Sequence, residues 1–113
     1  MAYYAVLQSG GADWDRDRLR GLLADELDFE GPIAGHVQGA ERFLRGVSGF
    51  IESHRGIAFL RRLFTGAGAA ALYDAELPNG TVRFAEFLDV EDGAIRSIRL
   101  LYDPTRYREA GGR

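Results

Sequence analysis

Glu86 sits where a carboxylate is costly to bury. The stretch Val82-Arg83-Phe84-Ala85-Glu86-Phe87-Leu88-Asp89-Val90 alternates in strand fashion, with Val82, Phe84, Leu88 and Val90 marking the buried face. Glu86 falls on that same face. An isolated ionised carboxylate there costs several kcal/mol, so the group must be paired, protonated or turned towards a polar pocket. Each arrangement suits proton transfer. A buried glutamate held by one hydrogen-bonding partner for structural reasons fits the same pattern.

Other residues could share the chemistry. A two-residue turn at Asn79-Gly80 sets Tyr73 opposite Glu86, either as half of a catalytic dyad or as a structural partner. The same register sends Asp74 and Glu76 to solvent. His36, in the loop after Pro32, is placed at the mouth of any pocket, with capping or packing as its other role. His54 ends a helix, where a cation favours the dipole, and reads as structural. Trp14 is pocket wall or core. A metal site would need two or three of His36, Glu30 and Glu86 to converge without any supporting spacing, so neither metal nor cofactor is expected. No nucleotide-phosphate loop, GxSxG elbow or Ser/His/Asp ordering is present.

The elements that position these groups follow from periodicity. Met1–Gln8 is a short apolar segment rich in helix formers, ended by Ser9-Gly10-Gly11. Asp13 or Asp15 caps a second helix to about Ala24, with Leu19, Leu22 and Leu23 as its stripe. Leu27–Glu30 is a short extended piece before Gly31-Pro32, and Ile33–Gln38 is a loop. The third helix, about Ala40–Ser53, buries Phe43, Leu44, Val47, Phe50 and Ile51. After His54 the period becomes two. Ile57–Phe64, Ala69–Leu77, Thr81–Val90 and Ala94–Tyr102 read as four antiparallel strands, and Thr105–Arg113 as a frayed tail. Helices followed by a meander give an α+β domain.

Composition bounds the function. The 113 residues form one domain, 46% hydrophobic and 27% charged. A chain of this length buries about 65% of its unfolded surface, enough for a core and one modest cavity. No apolar run reaches the roughly 20 residues of a membrane span, and the N-terminus lacks a signal-peptide pattern, so a cytoplasmic protein is expected. Without cysteine there are no disulfides, thiolate metal sites or cysteine nucleophiles. A net charge of −3 with scattered arginines speaks against nucleic acid as partner.

The order of elements, with Leu22-Leu23-Ala24-Asp25-Glu26, Phe29-Glu30-Gly31-Pro32, His36-Val37-Gln38-Gly39 and the closing Asp92-Gly93-Ala94-Ile95 and Leu101-Tyr102-Asp103-Pro104, resembles the nuclear transport factor 2-like superfamily and its SnoaL-like branch. The resemblance implies a cone: a strongly curved antiparallel sheet wrapped around three N-terminal helices, with a pocket at the wide end. Cyclases and epoxide hydrolases of the superfamily carry an aspartate in the last strand where this chain has Leu100. Counting by twos from it, Ile98, Leu100 and Tyr102 face inward with Phe84, and none exchanges a proton at neutral pH. The steroid isomerases fit better. Their protonated carboxylic acid aligns with Glu86, and the tyrosine sharing its oxyanion hole with Tyr4. Their base stands directly before the proline; Gly31 occupies that place here, and the resemblance implies that Glu30, one residue earlier, reaches the cavity as the candidate base.

Two functions follow. One is a cofactor-free enzyme acting on a small apolar carbonyl or polycyclic molecule by carboxylate and tyrosine chemistry, through isomerisation, cyclisation or dehydration. The other is a ligand-binding or dimerisation module in which Glu86 and Tyr73 form a structural pair. Either way the outer sheet face, with Phe87 among Arg83, Asp89, Arg96 and Arg99, is expected to form a homodimer.

Overall fold

The computed structural model describes residues 1–113. In chain order the elements are α1 (Ala2–Ser9), α2 (Arg16–Leu22), β1 (Leu23–Gly31), β2 (Gly35–Gln38), α3 (Ala40–Ser53), β3 (Gly56–Thr65), β4 (Gly68–Leu77), β5 (Gly80–Glu91), β6 (Ala94–Leu101) and α4 (Pro104–Glu109). The strands make one curved, open sheet in the order β2-β1-β6-β5-β4-β3. This is the expected α+β cone with three N-terminal helices. No helix is long and apolar enough to cross a membrane.

Each helix has a local reason to form. Tyr3, Tyr4, Val6 and Leu7 give α1 a buried face, and it stops at Gly10, whose φ of 65° suits glycine. Asp15 caps α2, its carboxylate accepting from the Arg18 N–H at 2.9 Å. In α3, Phe43, Leu44 and Ile51 are buried and Val47 and Phe50 half-buried, which is the expected stripe. His54 follows it as a neutral ring: Gly56 N–H donates to Nδ1 at 3.1 Å, and Nε2 donates to Leu7 O at 2.7 Å. Burial lowers its pKa. Its role is structural, but without the cation expected at the helix end.

The sheet differs from expectation in three places. β1 is longer than Leu27–Glu30 and runs parallel to β6, with Phe29 beside Ile98 and Glu30 beside Arg99. Residues 35–38 form edge strand β2 rather than loop, pairing Glu30 with His36. The β4–β5 turn falls on Pro78-Asn79, so Tyr73 pairs with Phe84 and Ala71 with Glu86. Packing from the end of the chain holds that turn, for Asn79 N–H donates to Ala110 O at 2.8 Å. The β5–β6 turn behaves as its sequence suggests, with Asp92 and Gly93 at φ 53° and 77°.

Residues 105–113 are not a frayed tail. Asp103 caps α4 by accepting from the Thr105 and Arg106 N–H groups, and Pro104 starts it. Tyr107 and Ala110 join the core of 25 buried residues.

Candidate active site

Strand parity brings Glu86 to the concave face together with Val82, Phe84 and Leu88, all at most 3% exposed. Its neighbours across the sheet, Ala71 and Leu100, are apolar. Its one hydrogen bond comes from α1: Tyr3 Oη donates to Oε2 at 2.8 Å. Oε1 is buried without a partner. Removal from water pushes the Glu86 pKa up to about 7, against the opposing pull of the Tyr3 hydrogen bond. Burial, and then the nearby Glu86 charge, hold the Tyr3 and Tyr73 phenols well above their usual range, so both remain donors.

Glu86 lines a cavity of about 260 Å³ whose walls are mostly apolar. Tyr3 and Leu7 of α1, Phe43, Val47 and Phe50 of α3, and Phe29 of β1 form one side. Tyr73, Phe84, Leu100 and Tyr102 form the other, with Tyr107 of α4. Ile33 and Ala34, in the β1–β2 turn, border it. Phe84 binds this wall together, stacking on Tyr73 at 5.3 Å and meeting Tyr102 edge-on at 4.8 Å between centroids. The arrangement can present one titrating carboxyl, with the phenols of Tyr73 and Tyr102 beside it, to a carbonyl compound.

The expected site residues therefore divide. Glu86, Tyr73, Phe84, Leu100 and Tyr102 meet in the cavity. Ile98 is fully buried and is not part of the cavity wall. Trp14 belongs to the core, its indole N–H donating to Glu52 at 3.1 Å. Glu30 needs correction: its side chain is 60% exposed, outside the cavity, at 3.6 Å from Arg99. Alternation along Leu27-Asp28-Phe29-Glu30 turns Phe29 inward and Glu30 outward. His36 shares the outward side of β2 and pairs with Asp28, so it does not reach the mouth.

Tyr4 is also corrected. It packs against Phe59 and Phe64 of β3, away from the cavity lining, and its hydroxyl has no partner. Tyr3, one helical step earlier, holds Glu86 instead. That step rotates the side chain by about 100°, so a one-residue alignment error selects the wrong tyrosine. Tyr73 does not hydrogen-bond Glu86 because the register is two residues from the expected one. Tyr107 was missed, although Asp103-Pro104 is a helix-start signature.

This curved sheet, packed by helices around an apolar cavity that Glu86 lines, is shared with known proteins. The chain belongs to the SnoaL-like domain family, whose profile matches residues 1–98. A crystal structure from Kribbella flavida DSM 17836 superposes with a TM-score of 0.85 at 28% identity, covering 96% of this chain and 87% of that one. A steroid delta-isomerase from Pseudomonas aeruginosa gives a TM-score of 0.72 at 19% identity, covering 85% and 73%. A de novo designed protein with a curved β-sheet gives 0.79 at 14% identity, covering 96% and 88%. The last match makes plain that the fold alone assigns no chemistry. Among curated proteins, none matches the sequence.

Proposed function

We propose that this protein is an isomerase-type enzyme that moves a proton within a small, largely apolar carbonyl compound, with Glu86 carrying the proton. The observation behind this reading is the state of Glu86: buried, poised near neutrality, pinned through Oε2 by Tyr3 and unpartnered at Oε1, on the wall of an apolar cavity. An ionised Glu86 takes a proton from the carbon next to the carbonyl. The resulting enolate oxygen is assigned to the Tyr73 hydroxyl, and the neutral Glu86 returns the proton at another carbon. No other acidic side chain lines the cavity, so one group serves as base and then as acid. The fold shared with a steroid delta-isomerase agrees with such chemistry.

The test is deuterium uptake from D₂O into enolisable and β,γ-unsaturated cyclic ketones, followed by proton NMR. Wild type should accelerate exchange and double-bond migration, and Glu86→Gln should lose both. Equal rates in the two proteins would remove the enzymatic reading and leave a binding module. We further propose that the outer face pairs two copies of the chain. Leu63, Phe87 and Leu101, each more than half exposed, give that face apolar positions to bury.

A further inference from the structure

The cavity carries a polarity of charge that the proton transfer does not use. One end holds Glu86, at 2% exposure. The other charged residues lining it are Arg42 and Arg113, both exposed and therefore at its mouth. Arg42 stands on α3 one turn before Gly46, beside the Phe43, Val47 and Phe50 stripe that walls the cavity. Of the arginines without an ion-pair partner in the chain, Arg42 and Arg113 are the two that line the cavity. Glu41, the acidic neighbour of Arg42, is already held by Arg16 and Arg20.

We infer that the cavity takes an organic anion: a small apolar carbonyl compound with a carboxylate at the end remote from Glu86, received at the mouth by Arg42 and Arg113. The inference rests on the cavity being the substrate site and names the substrate class for it. Guanidinium groups present paired donors that match a carboxylate, and at an apolar rim they hold it without full desolvation. An ionised Glu86 repels the same carboxylate. Only one orientation then satisfies both ends, and it sets the apolar, reacting part of the ligand against Glu86. The volume of about 260 Å³ lies just under the roughly 300–1,000 Å³ of drug-sized sites, which favours a ligand of one or two rings.

Calorimetric titration with naphthalene-2-carboxylate and naphthalene-2-carboxamide at pH 8 and low salt tests this directly. Wild type should bind the carboxylate about threefold to tenfold tighter than the amide, the range expected for exposed ion pairs. Arg42→Gln and Arg113→Gln should each reduce that preference and the double variant should abolish it, with amide affinity unchanged throughout. Raising salt to about 0.5 M should shrink the preference in wild type. Equal affinity for the two compounds in wild type, a preference that survives in the double variant, or binding of neither compound overturns the inference. Because only binding is read, loss of the proton-transfer reading leaves this result standing. Turnover of neutral ketones without a carboxylate preference does the reverse.

Discussion

Tyr3 and Glu86, 83 positions apart in the sequence, meet in a 2.8 Å hydrogen bond that ties α1 to the centre of β5. The phenol donates to one carboxylate oxygen and leaves the other free, so the bond orients Glu86 without saturating it. Removing the donor leaves a buried carboxylate without any partner. Tyr3→Phe should therefore cost about 1–3 kcal/mol of stability at pH 8, measured by urea denaturation. The pKa of Glu86 should rise further, because the hydrogen bond now holds it down. A stability loss at pH 8 below about 0.5 kcal/mol would count against the bond.

Glu86 also makes stability depend on pH, with a defined sign. Its folded pKa of about 7 lies above the ordinary value of 4.5. Between these values the unfolded chain has lost the proton and the folded chain still holds it, so stability falls as pH rises through that window. The full difference is about 3 kcal/mol, present below the window and lost above it. Glu86→Gln should flatten the slope and be the more stable protein at pH 8. Parallel slopes for the two proteins from pH 4 to 8 would contradict the burial of a titrating carboxyl.

The core alternation of β5 was legible in sequence because one face of a strand must be apolar, and the one polar exception marked the site. The pairing of that strand was not. Asn79-Gly80 was a reasonable turn signal, but α4 packs on the turn and Asn79 bonds to Ala110, a long-range contact invisible to local propensity. At Asp92-Gly93 no such contact intervenes, and the local rule holds. The parallel β1–β6 pair likewise depends on sequence-distant packing. Glu30 could have been placed correctly, since its own alternation with Phe29 points it outward. Tyr3 against Tyr4 could not, because both are buried and α1 carries no marker of its rotation.

Glu30→Gln should leave turnover unchanged and alter stability by no more than about 0.5 kcal/mol, as befits an exposed ion pair. Side-by-side kinetics with wild type check this. A tenfold loss of kcat would return Glu30 to the site and require β1 to move.

The outer face yields a prediction about assembly. Phe87→Asp and Leu101→Asp each place a charge in the centre of the proposed dimer contact. Sedimentation velocity should show a dimer for wild type and a monomer for both variants, with the fold retained. A wild-type monomer at high micromolar concentration would remove this interface.

The central claim is that Glu86 exchanges the proton, and the pH profile of kcat/KM on a β,γ-unsaturated ketone tests it most directly. For wild type the value should rise through an inflection near 7 as Glu86 ionises to its basic form. In Glu86→Gln the rate should fall about 10²–10⁴-fold and the inflection should disappear. Wild-type rates in Glu86→Gln, or a profile that declines above pH 7 in the native protein, would contradict the assignment of Glu86 as the base.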